Sequence, residues 1–138
     1  MKKIIALSIG VIVAATLGFS AAAVAQKKHA PKPVWGAMVG GLIDLQSITA
    51  AMMVFDMKRA ATIAEGLQKR ETYISNIARL PEPVRKGHGK VAEAATKLVA
   101  AAKSGEEQDV AKALSGVMQA CNACHYDLRD AERRKKMK

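Results

Sequence analysis

Apolar side chains recur at alternating spacings of four and three residues along the C-terminal part of this chain. The series starts at Val110 and continues without interruption through Leu114, Val117, Cys121, Cys124 and Leu128. Because an α-helix has 3.6 residues per turn, side chains at these spacings share one face of a helix. The pattern therefore predicts an amphipathic helix over residues 106–135, with both cysteines on its apolar face.

Three earlier segments, residues 34–55, 56–80 and 89–103, have similar helical periodicity. Two prolines at positions 81 and 83 interrupt the pattern, since proline disfavours a helical conformation in the residue before it. We expect Asp56 to cap the second helix, Ser104 and Glu107 to form a capping box at the fourth, and His88 to lie in a loop. The stripe predicted to face inward on the first helix consists of Met38, Leu42, Leu45, Thr49 and Met52.

Aromatic residues make up only 4% of the sequence, and no period-two alternation of the kind found in strands is present. These observations exclude an all-β fold and predict an all-α protein, an antiparallel up-and-down four-helix bundle. Alanine is frequent on the apolar faces, and each alanine buries little area. The core therefore buries little apolar area unless it also encloses a further apolar group.

The first 25 residues resemble a targeting segment. Lys2 and Lys3 precede an uncharged apolar run at residues 4–19, and Ala23-Val24-Ala25 supplies the small residues of a cleavage site. We expect residues 1–25 to be a signal peptide, residues 26–33 a basic linker, and residues 34–138 a periplasmic domain. The alternative is an uncleaved membrane anchor, because residues 4–25 are long enough to cross a bilayer.

The formal net charge of the chain is +10, and basic residues cluster near both ends. Such a charge favours partners with an acidic surface. No nucleic-acid recognition motif is present, so we expect no nucleic acid among the partners. Whether two copies associate through the first two helices is left open.

The chemistry is concentrated in Cys121-Asn122-Ala123-Cys124-His125, which reads Cys-x-x-Cys-His. This is the attachment signal for a c-type haem. Positions i and i+3 of a helix project from the same side, so both thiols can form thioethers with the two haem vinyl groups. The imidazole of His125 can then bind the iron from one face. The motif predicts one covalently attached haem c.

Three other interpretations of the two cysteines fit the pattern less well. A disulfide across so short a loop stabilises a helix little. A redox-active pair normally lies at a helix N-terminus, where the helix dipole lowers the pKa of a thiol. A zinc site needs four ligands, and His29 or His88 would be a remote fourth.

With its haem motif on the last helix, the sequence resembles the class II cytochromes c, which include cytochrome c-prime and its low-spin relatives. The family motif continues to a basic residue four positions after the histidine, and Arg129 occupies that place here. The resemblance implies a four-helix bundle, and it implies that any distal methionine ligand comes from the first helix.

Met38 fits that position on the first helix, whereas Leu42 or Val39 would leave the iron without a sixth ligand. Met118 lies one turn before Cys121 and is expected to line the haem pocket. Arg129 is expected there too, either paired with a haem propionate or facing water.

The preferred function is a one-electron carrier with His125 and Met38 on the iron. A five-coordinate cytochrome that binds NO or CO is the alternative. A haem-free exported helical protein that binds metals or partners is a third hypothesis. No constellation of catalytic residues is visible in the sequence, so we do not expect an enzyme.

Overall fold

The computed structural model describes residues 32–137 and consists of four helices. These are α1 (Lys32–Met53), α2 (Met57–Ser75), α3 (Glu82–Ser104) and α4 (Glu107–Lys136). Short connections join consecutive helices, and α2 packs against α1 and α3, while α3 packs against α4. The predicted four-helix bundle is confirmed. The predicted signal peptide, residues 1–25, and residues 26–31 of the predicted linker lie outside the described residues.

Helix α3 begins seven residues earlier than predicted, at Glu82 instead of Gly89. Pro81 occupies the N-cap position and Pro83 lies in the first turn, where the missing N–H of a proline leaves no helical bond unmade. The prolines therefore start this helix. As a consequence, the prediction that His88 lies in a loop is wrong, because His88 is a buried residue of α3.

One of the two predicted caps is present. Oδ1 of Asp56 accepts a hydrogen bond of 2.9 Å from the backbone N–H of Arg59, which confirms Asp56 as the N-cap of α2. The predicted capping box at α4 is wrong. The hydroxyl of Ser104 instead donates to the carbonyl of Ala101, and Gly105, with a φ of 82°, ends α3.

The main hydrophobic core joins all four helices and is built largely from small side chains. Alanine supplies half of its fully buried members, which are Ile48, Ala51, Ala60, Ala61, Ala64, Leu67, Val91, Ala95, Leu98, Ala102, Val110 and Val117. A second cluster, made of Val34, Ala37, Ile74 and Leu80, closes the end of the bundle where α1 begins. The thin core expected from the composition is therefore observed.

Helix α1 follows the predicted inward stripe in part, since Met38, Leu45 and Met52 are partly buried against the two core clusters. Its buried residues are Val34, Ala37, Ile48 and Ala51, whereas Leu42 and Thr49 are exposed. Small side chains let α1 approach α2 closely on one face. The larger side chains of α1, including Leu42, lie beside an open cavity.

Among the described residues, α1 is long and apolar enough to cross a membrane by length and composition alone. A core helix or a signal sequence near the N-terminus passes the same test, so this property assigns no membrane role to α1.

Candidate functional site

An apolar cavity of about 430 Å³ lies between α1 and α4, and its inner wall is formed by α2 and α3. This volume falls in the range of small-molecule and cofactor sites, which is about 300–1,000 Å³. Helix α1 contributes more apolar lining residues than any other helix, namely Val34, Trp35, Ala37, Met38, Val39, Leu42 and Leu45. Trp35, Val39 and Leu42 are exposed although they line the cavity.

The wall formed by α4 carries the complete Cys-x-x-Cys-His motif. Cys121, Cys124 and His125 all line the cavity, together with Val117 and Leu128. The two thiols are half-buried, whereas His125 is exposed. Because α4 is regular here, Cys121 and Cys124 project from the same side of the helix toward the cavity.

Gly87 of α3 provides the space that the second thiol occupies. A Cβ atom added at Gly87 would collide with Sγ of Cys124 and would lie 3.0 Å from its Cβ. Any larger residue at this position would require the side chain of Cys124 or the backbone beside it to shift. The chain therefore forms a close-fitting cradle for Cys124.

Both thiols are held in the neutral form. Burial is the main cause that raises the pKa of Cys121, and the negative charge of Glu71 adds to it. Burial likewise raises the pKa of Cys124, followed by Asp127 and Glu71. Neither cysteine has the lowered pKa of a redox-active thiol.

A buried polar pair, His88 and Glu71, forms part of the inner wall of the cavity. Nδ1 of His88 lies 2.5 Å from Oε2 of Glu71, and the exposed fractions of the two residues are 7% and 4%. Sequence reasoning missed this pair. One signal was available, since Glu71 lies four residues after Leu67 and three before Ile74, at the spacing of the buried face of α2.

The structure brings some of the other predicted site residues to the cavity. Met38 and Leu42 line it, as does Val39. Met118 is half-exposed and Arg129 is exposed, and neither is among the lining residues. The assignments of individual residues to the haem site stay predictions.

These features fit a covalently bound haem. The cavity is apolar, the cradle at Gly87 admits Cys124, and His125 offers a nitrogen ligand beside both thiols. The two cysteines are free, and no three His, Cys, Asp or Glu residues between positions 32 and 137 are grouped to hold a metal ion.

A helical bundle whose Cys-x-x-Cys-His motif faces an apolar cavity defines a class of proteins, the helical c-type haem cytochromes. The family model described as Cytochrome C' matches residues 36–129. The match covers most of the chain, and the protein belongs to this family. Comparisons with curated proteins and with solved structures gave no significant match.

Proposed function

We propose that the protein is an exported monohaem cytochrome that carries single electrons, with His125 and Met38 as the axial ligands of the iron. The observation that carries this proposal is that Met38 and His125 line one cavity from two helices, α1 and α4. Methionine is a common partner of histidine in electron-carrying haem proteins.

Each residue of the site has one task in this proposal. The thiols of Cys121 and Cys124 hold the haem covalently, and the imidazole of His125 binds the iron. The thioether of Met38 would be the second protein ligand of the iron, and methionine ligation raises the reduction potential. The haem supplies a one-electron couple when bound, and the apolar lining of the cavity would pack against it.

The gas-binding alternative has its own supporting observation. Leu42 and Val39 line the cavity beside Met38, and either could occupy the space over the iron without binding it. The iron would then be five-coordinate and open to CO or NO. The two functions therefore differ in one bond, that between the iron and Met38.

The visible spectrum of the reduced protein, recorded with and without CO, distinguishes the two functions. The electron carrier has a sharp low-spin α band that CO does not change. Met38→Ala should then convert the protein to a form that binds CO at once. Met53→Ala is the matched control, since Met53 is an exposed residue at the end of the same helix and should leave the spectrum unchanged. Immediate and complete CO binding by the unmodified protein would contradict Met38 ligation.

The same proposal includes export of the protein, docking onto redox partners and no enzymatic activity. Without the predicted signal peptide, which carries Lys2 and Lys3, the formal charge falls from +10 to +8, and the protein still suits redox partners that present an acidic docking surface. Electron transfer to such a partner should slow as the salt concentration rises, because salt screens the attraction between opposite charges. A rate independent of ionic strength would contradict electrostatic docking. No residue is assigned a catalytic role.

A further inference from the structure

The buried pair of His88 and Glu71 has no role in holding the haem or its iron in the function proposed above. We propose that this pair takes up a proton from solvent when the protein accepts an electron, so that the cytochrome carries one proton with each electron. This inference rests on the proposed function, because it requires a reducible haem in the cavity.

His88 is the hydrogen-bond partner of the buried Glu71 carboxylate. Oε2 of the carboxylate faces Nδ1 of His88, and Oε1 faces α1, where a Cβ added at Gly41 would lie 3.8 Å away. Among the described residues, the only hydrogen bond to this carboxylate is the one from His88. A buried carboxylate needs a donor of this kind, since an unpaired charge away from water is costly.

The hydrogen bond also determines where an added proton binds. The contact of Nδ1 with the carboxylate suits the tautomer of neutral His88 that donates its Nδ1–H to Glu71, and this tautomer leaves Nε2 as the acceptor nitrogen. A proton that arrives at Nε2 changes the net charge of the pair from −1 to zero. The electron that enters the protein comes from its redox partner, and the proton comes from solvent, so charge and atoms balance.

The other titratable groups that line the cavity are used for haem binding. They are Cys121, Cys124 and His125, all from α4, and α1 contributes none. Thioether sulfurs carry no proton, and the ring nitrogen of His125 that binds iron cannot accept one. Glu71 from α2 and His88 from α3 therefore remain as the lining residues that can exchange a proton.

Charged groups also act near the cavity. Lys90 and Asp127 act on Cys124, and Arg70, the neighbour of Glu71, is paired with Asp44 of α1. Inside the apolar cavity, a change of charge acts on its neighbours more strongly than it would in water. Entry of a negative charge therefore favours the protonated form of the pair.

The test is the midpoint potential of the haem-loaded protein, measured from about pH 5 to about pH 9, which brackets the usual titration range of histidine. We expect the potential to fall as pH rises, by up to about 59 mV for each tenfold drop in proton activity. The fall should be absent in Glu71→Gln and in His88→Gln. It should persist in Glu65→Gln, the matched control, because Glu65 lies on the same helix but pairs with Lys103 at the surface.

A second measurement on the unmodified protein requires no variant to fold. Reduction in weakly buffered solution should withdraw protons from the solvent, up to one for each electron, as read from an indicator dye. If the protein is reduced reversibly but its midpoint potential does not change with pH and it takes up no protons, the proton coupling is overturned. The proposed function would then remain in place. A slope that is the same in both variants of the pair would also overturn it. Absence of covalent haem would overturn both proposals.

Discussion

Gly87 shows how much of the site depends on a single missing side chain. The thiol of Cys124 occupies the space that a Cβ at this position would fill, so α3 and α4 can approach each other beside the haem motif. The residues near Gly87 in the sequence are two prolines, a second glycine and a histidine, and this pattern does not predict a contact with Cys124. The requirement arises from packing between two helices that are distant along the chain.

Gly87→Ala should therefore impair haem attachment at Cys124. The added methyl group overpacks the contact, which typically costs about 1–3 kcal/mol of stability. We expect a severalfold lower fraction of protein that carries both thioethers, measured by mass spectrometry of peptides that contain the motif.

Gly89→Ala is the control for this substitution, because it lies on the same helix and its Cβ would make an ordinary contact, 3.9 Å from Cβ of Ser75. Both changes replace glycine by alanine within a helix, so both gain the same helix propensity. Equal haem content in the two variants would contradict the cradle.

At the scale of the helices, local side-chain chemistry determines where each helix begins and ends, whereas packing determines which helices contact each other. Asp56 caps α2 through its own side chain, so α2 can start directly after the turn at residues 54–56. Between α2 and α3, Nζ of Lys103 lies 2.7 Å from Oε1 of Glu65 at the surface. These two interactions are polar and accessible, and each can be tested without disturbing the core.

Asp56→Ala should lower the free energy of unfolding by about 1 kcal/mol, because the N–H of Arg59 loses its acceptor. Asp56→Asn retains a side-chain oxygen that can accept the same hydrogen bond, so it should retain most of the stability. Urea unfolding of the two variants measures the difference. Equal losses would show that the side-chain cap does not stabilise α2.

The ion pair between Glu65 and Lys103 should give a small stability term that depends on pH. The hydrogen bond and positive charge of Lys103 lower the pKa of Glu65. A carboxyl whose pKa is lowered by folding stabilises the protein above its unfolded pKa, and this contribution is lost as pH falls through the folded pKa.

We therefore expect Glu65→Gln to be slightly less stable than the unmodified protein at neutral pH and equally stable once the carboxyl is protonated. The effect is small because the pair is exposed to water. Urea midpoints measured across the acidic range test this expectation. A difference that persists undiminished in acid would contradict the assigned cause.

The helices could be predicted from the sequence to different extents. The apolar series from Val110 to Leu128 gave α4 to within one residue at each end, since its spacing is unbroken. The inward face of α1 could be predicted only in part. Met38, Leu45 and Met52 pack against the core as expected, but the most buried contacts are made partly by Ala37 and Ala51, which contribute little to an apolar pattern. The pair of His88 and Glu71 could not be predicted, because it joins two helices and depends on the way they pack.

At the scale of the whole molecule, the shortage of aromatic residues and the apolar cavity have one explanation. Alanine-rich helices leave space between α1 and α4, and the two helices make few direct contacts there. A haem is a flat apolar body that can fill this space. In this account the cofactor is part of the core as well as the redox centre.

Protein that lacks haem should therefore be markedly less stable than the loaded protein. Cys121→Ser combined with Cys124→Ser prevents covalent attachment, and we expect it to lower the free energy of unfolding by more than about 3 kcal/mol, the loss typical of deleting one large core side chain. Thermal unfolding followed by circular dichroism measures this. Ser115→Ala, at an exposed position of α4, is the control. Unchanged stability of the double variant would show that the bundle does not pack around a haem.

The central claim is that the cavity holds one haem attached through Cys121 and Cys124. Its most direct test is the intact mass of the protein after expression in a host that matures c-type cytochromes, measured under denaturing conditions that release non-covalent ligands. The account predicts the mass of the processed chain, without its signal peptide, plus one haem, and the mass of the processed chain alone when both cysteines are replaced by serine. The mass of the bare chain from the unmodified protein, purified from a host shown to load another c-type cytochrome, would contradict it.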